Sequence, residues 1–203
     1  MNSRSTDTTP RERRKLARRR QIIELARQIA EAEGWEAVTT RRLADGIDFS
    51  QPVLYQHFSS REDVIRAVTL QGFADLEQRI RTLDAGIGER RGLEAVCHAY
   101  LGFVREHPRL YDAMFTNPTP LPFADNETPL ELTGAFNALA EHVARQAPHI
   151  GDAVSAAELL WACCHGLATL QASARIPADR IDEHIGHIDR MITRRGMQDE
   201  GSA

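Results

Sequence analysis

The sequence predicts an all-α fold: a three-helix N-terminal head with a helix-turn-helix, followed by a larger helical C-terminal part. Three observations carry this. Apolar residues recur at three- and four-residue spacing in segment after segment. Gly34, the stretch Gly86 to Gly92, His107-Pro108, Pro148 and Ile176-Pro177 interrupt those segments as helix stops. Between Thr39 and Arg61, two short helical stretches follow one another across a tight turn.

Composition sets the outer bounds. A chain of 203 residues holds one sizeable core, or a small module joined to a larger one. Hydrophobic content of 42% and charged content of 27% are those of an ordinary globular protein. No apolar run reads as a membrane span, and the polar, basic N-terminus does not read as a secretory signal, so no membrane partner is expected. Cys97, Cys163 and Cys164 form an odd set without metal-site spacing, which fits a reducing, cytoplasmic setting. The net charge of −4 hides an asymmetry: residues 1–66 hold 13 Lys and Arg against 10 Asp and Glu, whereas residues 67–203 hold 12 against 19. A basic end on an acidic body suits a protein that turns one end towards phosphate; a solvated charged face is the plainer alternative.

Taken in order, residues 1–10 (MNSRSTDTTP) are polar and lack apolar periodicity, so a disordered arm is expected. Arg11 to Glu33 reads as one long helix, with Ile22, Ile23, Ala26, Ile29 and Ala30 as its stripe and Gly34 as its stop. Its first half carries Arg11, Arg13, Arg14, Lys15, Arg18, Arg19 and Arg20. Each arginine there is open to two readings, phosphate contact or solvation alone; phosphate contacts set affinity and register without reading sequence. Thr39 or Thr40 caps the next helix, and Leu43, Ala44 and Ile47 share one face. Asp48-Phe49 breaks the run. Ser50 stands as the following N-cap, with Gln51-Pro52 in the first turn, where proline's missing N–H costs nothing. Val53, Leu54 and Phe58 turn inward from this second helix, leaving Gln51, Tyr55 and His57 outside. Ser59-Ser60 ends it and caps the next, because Glu62-Asp63 follow. This arrangement is that of a helix-turn-helix whose second helix enters a DNA major groove.

The runs Thr39-Thr40-Arg41-Arg42-Leu43-Ala44, Gln51-Pro52-x-Leu54-Tyr55-x-His57-Phe58 and Ser60-Arg61-Glu62 resemble the TetR family of bacterial transcriptional repressors. The turn departs from that family at Asp48, where glycine is usual; aspartate tolerates a left-handed backbone, so slight strain is expected and not a lost turn. The resemblance implies a DNA-contacting set of Thr39, Thr40, Arg41, Ser50, Gln51, Pro52, Val53, Tyr55, Gln56, His57 and Arg61. Within it, Gln51, Val53, Tyr55 and His57 face the groove, while Thr40, Arg41 and Arg61 reach phosphates or base edges. Gln51 is the best base reader, since its amide pairs bidentately with adenine for ~1–3 kcal/mol of discrimination.

Beyond the head, Ser60 to about Leu83 reads as a second long helix with Ile65, Val68, Phe73, Leu76 and Ile80 inward. Helical periodicity restarts from Leu93 to about Glu106, and a brief apolar piece, Leu110 to Phe115, follows His107-Pro108. Residues 117–129 (NPTPLPFADNETP) form the clearest loop: a connector, or alternatively a lid. Helix returns from Leu130 to Ala147. Asp152 to Arg175 is apolar on nearly every face and so is expected to be buried all round. Ala178 to Arg195 carries Ile181, Ile185, Ile188 and Ile192 as one stripe, and the tail from Gly196 reads as loose. The expected domains are a DNA-binding unit over 11–66 and an effector-binding and dimerisation unit over 67–195, with 196–203 as the tail.

The C-terminal part has its own, less specific resemblance. Tyr100-x-x-Phe103-Val104-x-Glu106-His107-Pro108, Met114-Phe115 and Trp161-x-x-x-His165-Gly166 look like an effector-binding domain attached to TetR-type heads. An apolar effector pocket is then expected from Tyr100, Phe103, Met114, Phe115, Phe136, Leu139, Trp161 and His165, with core filling as the alternative for each. A dimer interface is expected from Leu160, Gly166, Leu167, Ile181, Ile185, Ile188 and Ile192, with packing of the isoleucine stripe on its own subunit as the alternative. His184 and His187 have metal-compatible spacing but no evident third ligand, and Cys163-Cys164 reads as core; no metal or cofactor is expected. The expected function is a homodimeric repressor on a palindromic operator, released by a small, mostly apolar effector. The alternatives are a ligand-independent, partner-controlled or activating regulator of the same fold and, in a different class, an α-helical enzyme, for which no catalytic constellation appears.

Overall fold

The computed structural model describes residues 9–48, 50–85, 92–115 and 128–193; most of the expected arm, all of the GIGERRG break but its last glycine, nearly all of the 117–129 loop and the tail lie outside them. The described residues contain helices and turns without a strand. They form two compact units. One runs up to Gly72 and resumes from Pro108 to Phe115; the other comprises Phe73–His107 and residues 128–193.

In the first unit, α1 (Pro10–Glu33) starts at a capping box. The Thr9 hydroxyl accepts from the Glu12 N–H (3.3 Å), and the Glu12 carboxylate accepts from the Thr9 N–H (2.7 Å). Ile22, Ala26, Ile29 and Ala30 are its buried stripe, and Gly34, at φ +89°, ends it in a conformation that favours glycine. A helical turn (Trp35–Ala37) leads to α2 (Thr40–Gly46), which Thr39 caps by accepting from the Arg42 N–H (3.2 Å). Leu43 and Ala44 are buried as expected, and Ile47 is half-buried. Asp48 takes φ +53°, the left-handed conformation anticipated for the turn. Then come α3 (Gln51–Tyr55) and α4 (Arg61–Arg81), of which the part up to Gly72 belongs to this unit. Ser50 occupies the N-cap of α3 through its backbone carbonyl, without a side-chain bond. The cap of α4 is reciprocal: the Ser60 hydroxyl accepts from the Asp63 N–H (3.1 Å), and the Asp63 carboxylate accepts from the Ser59 N–H (3.0 Å).

The same unit gains α6 (Pro108–Phe115), packed on α1. The Glu31 carboxylate accepts from the Arg109 N–H (3.1 Å) and the Leu110 N–H (2.9 Å), supplying partners for α6's otherwise unsatisfied first donors. The Trp35 indole N–H donates to the Arg109 carbonyl at 2.8 Å. Leu110, Tyr111, Ala113 and Met114 are buried.

In the second unit, α5 (Leu93–Glu106) packs against α7 (Leu130–Gln146), α8 (Ala153–Ala172) and α9 (Ile181–Thr193), and α8 packs on α7 and α9. Asp152 caps α8 by accepting from the Val154 and Ser155 N–H groups, both at 3.1 Å. One expectation is corrected here, and one alternative gains support. First, α8 is not buried all round: only Ala157, Leu160, Cys164 and Ala168 are buried, while Val154 (53%), Leu159 (47%) and Leu170 (37%) are exposed. It is also long and apolar enough to cross a membrane by length and composition, which the sequence reading missed. Its inner face is part of the packed helical unit, as core helices with this composition are. Second, Ile185, Ile188 and Ile192 are buried within the chain itself, as is Leu160. α5 and α8 pack on α9, so these three isoleucines help fill the chain's own core, the alternative that the stripe left open.

Candidate nucleic-acid interface

The helix-turn-helix separates its side chains cleanly. Leu54 and Phe58 anchor α3 from below, and Val53 is half-buried. Ser50, Gln51, Pro52, Tyr55 (51% exposed) and Gln56 stand outside. On α2, Thr39 and Arg41 are exposed and Thr40 is half-buried. Arg41 makes only a loose contact with Asp45 (3.9 Å) one turn on, both side chains being largely solvated. Arg42, by contrast, forms a bidentate pair with Glu33 that ties α2 to the end of α1. At Gly46 a Cβ would lie 2.7 Å from Leu25 Cδ2, so α2 ends close against α1.

Two members of the expected DNA-contacting set are placed differently. Arg61 points back into the protein: its Nε donates to the Val38 carbonyl (2.7 Å) and its Nη2 to the Trp35 carbonyl (2.6 Å). These carbonyls lie in the connector between α1 and α2, so Arg61 braces the entry to α2 instead of presenting a free fork to phosphate. His57 is half-buried and not outward-facing; its Nδ1 is buried with no hydrogen-bond partner among the described residues. Burial, reinforced by the Lys15, Arg18 and Arg19 cations, holds its imidazole below the usual histidine range, so the neutral ring is favoured.

Sequence reasoning missed what holds His57 there. Arg19 Nη1 donates to the His57 carbonyl at 2.7 Å, and the same guanidinium lies 4.0 Å above the Phe58 ring. The basic run alone could not single out this arginine from its neighbours; only the tertiary approach of α1 to the end of α3 does so.

The expected effector-lining residues divide between the units. Tyr100, Phe103, Phe136, Leu139, Trp161 and His165 belong to the second unit, whereas Met114 and Phe115 sit on α6 in the first. Met114 packs there against α4: a Cβ at Gly72 would stand 2.8 Å from its Sδ. In the second unit, the Trp161 indole N–H donates to the Tyr100 hydroxyl (3.1 Å), and the Phe136 ring meets Trp161 edge-on at 6.4 Å. Phe103 is buried and contacts the His107 ring edge-on at 5.3 Å; Leu139 is buried. His165 is half-buried, and burial lowers its imidazole below the usual range. Gly166 and Leu167 are half-buried on α8, and a Cβ at Gly166 would meet nothing within 4 Å.

Comparisons with known proteins agree with this arrangement. Residues 22–68 match the family described as bacterial regulatory proteins, tetR family, and residues 93–193 match the Tetracyclin repressor-like, C-terminal domain. An uncharacterized helix-turn-helix transcriptional regulator of Mycobacterium tuberculosis, Rv0681, is 28% identical over 157 residues, which cover 75% of this chain and 69% of that protein. The helix-turn-helix transcriptional activator FasR of Mycolicibacterium smegmatis is 31% identical over 101 residues, 49% of this chain and 46% of FasR. The fold is similar to that of the fatty acid degradation regulator FadR from Bacillus halodurans, with a TM-score of 0.64 at 16% identity over 89% of this chain and 96% of that one. A helix-turn-helix with a polar outer face, a helical C-terminal unit and both family matches in that order lead to one conclusion: this chain belongs to the TetR family of bacterial DNA-binding transcriptional regulators, which are not enzymes.

Proposed function

We propose that the protein represses transcription as a homodimer on a palindromic operator, and that a small, mostly apolar effector bound in the C-terminal unit releases it. The observation that carries the DNA-reading half is the outer face of α3, where Gln51 and Tyr55 stand exposed while Leu54 and Phe58 hold the helix down. Gln51 reads a base edge, Arg41 and the exposed cations of α1 engage phosphate, and Tyr55 holds a phosphate through its hydroxyl. Arg61 serves this interface by bracing α2.

The two-fold axis is supported by the outer face of α8. Leu159, Ala162, Gly166 and Leu170 follow one another at helical spacing on that helix, with small residues in the middle and exposed leucines at both ends. Such a stripe is suited to close self-association, and an isologous contact supplies the symmetry a palindrome requires. Recognition helices would then meet half-sites ~34–36 Å apart. For the effector, the linked aromatics Tyr100, Phe136 and Trp161 supply an apolar wall with one hydroxyl handle. An effector favouring one head spacing shifts the population away from the DNA-bound one.

A second reading, activation in place of repression, is favoured by the similarity to FasR, which is an activator. In vitro selection from random duplex DNA, followed by transcription of a template carrying the selected site, tests both. An inverted-repeat site and lower transcript yield are expected. Higher yield would favour activation, and the absence of any selected site would overturn the DNA-reading proposal.

A further inference from the structure

The geometry points to Arg19 as a positioning residue that sets the sequence specificity of α3, not one of the phosphate contacts its basic surroundings suggest. This rests on α3 being the DNA-reading helix. With five residues, α3 is too short to hold its own conformation, and the carbonyls at its exit lack intrahelical partners. The chain supplies some locally: the Gln56 N–H bonds the Val53 carbonyl, and the His57 and Phe58 N–H groups bond that of Leu54. The His57 carbonyl is taken by Arg19, 38 residues earlier, at 2.7 Å.

The same guanidinium covers the face of Phe58, a ring only 2% exposed that plugs the floor beneath α3. One planar group therefore fixes both a backbone atom and an anchoring side chain at the exit of α3. That contact restrains the rotation of the helix about its axis, and thus the direction in which Gln51 and Tyr55 are presented. Arg19 is half-buried, whereas Arg11, Arg13, Arg14, Lys15, Arg18 and Arg20 are exposed. Its cation is committed inward while its neighbours face solvent. Lysine does not substitute, because a point-charge ammonium cannot lie flat on a ring while donating sideways to a carbonyl.

The test compares the unaltered protein with Arg19→Lys and Arg19→Ala on its selected DNA site and on a scrambled duplex, across a salt titration. A repositioned α3 lowers affinity for the selected site by about tenfold, leaves scrambled-duplex binding within about twofold, and keeps the slope of log K against log salt. A phosphate contact instead weakens both duplexes together and reduces the slope magnitude by about 0.9, which would overturn the assignment. Partial unfolding also weakens both duplexes together, but leaves the slope of the folded fraction intact; that outcome too would overturn a specificity role. Phe58→Leu, which keeps an apolar plug without a ring, provides the second check. The loss of specificity from Arg19→Lys should shrink in that background, and strictly additive effects would count against the clamp. If the unaltered protein selects no site at all, the DNA-reading proposal falls and this one with it; a selected site whose preference survives Arg19→Ala removes this one alone.

Discussion

In the proposed interface, Gln51 would read a base edge and Arg41 would hold phosphate. Gln51 presents an amide at the exposed start of α3, and Arg41 presents a guanidinium on α2 whose side chain is 83% exposed. Gln51→Ala is expected to lower discrimination at one base pair by ~1–3 kcal/mol, measured by competition between the selected site and its single-base variants. Arg41→Ala is expected to weaken binding to all duplexes and to reduce the salt slope by about one unit. His57 adds a pH dependence. Its imidazole is held below the usual range in the folded state, chiefly by burial. The unfolded chain therefore binds a proton at a pH where the folded one does not, and stability falls as pH drops below about 6.5 towards the folded value. Above that window the ring is neutral in both states and has no effect. His57→Asn should flatten this part of the stability–pH curve in thermal melts between about pH 5 and 7; an unaltered curve would show that other groups set it.

At the scale of elements, helices long and short are held by groups at their ends. Ser60 and Asp63 cap the start of α4, and Ser60→Ala is expected to cost about 1 kcal/mol of head stability in a denaturant melt. Glu31 does the same for α6 from outside it, which places α6 with the head in packing, although it follows α5 directly in the chain. The last helix has a plainer role. Ile185 is 1% exposed, and Ile185→Ala should cost about 2–5 kcal/mol through lost burial and a cavity, with no change in association state. Ile188→Glu is expected to unfold the second unit and not to yield folded monomers, because the new carboxylate would have to be buried unpaired.

At the scale of the whole molecule, the question is what covers the outer side of α8. Leu159 and Leu170 are exposed one helical stripe apart, with Gly166 open between them. Leu159→Glu combined with Leu170→Glu is expected to leave helical content and melting temperature nearly unchanged while converting the proposed dimer into monomers. Sedimentation equilibrium reads the mass, and the same variant should bind a half-site only weakly. A double variant that still sediments as a dimer would move the interface elsewhere on the surface.

The sequence by itself determined the helical class, the helix-turn-helix and the family, because these depend on local information. Apolar spacing places each helix, Thr39 and Ser60 signal caps, and Asp48 signals a left-handed turn; each acts within a few residues of itself. The exposed positions Gln51 and Tyr55 were legible for the same reason, since a helix with one apolar face has its other face free. Only the tertiary structure decided which of several like residues does which work. Arg19 and Arg61 look the same in sequence as Arg41, yet two bond carbonyls and one is solvated, because that depends on which backbone approaches them. Likewise α8 and α9 both carry apolar stripes, and periodicity states only that a stripe must be covered. The chain itself buries Ile185, Ile188 and Ile192 of α9, with Ile181 half-buried, and leaves Leu159 and Leu170 of α8 bare, a choice made by the packing of α5, α7, α8 and α9 and invisible in any one of them.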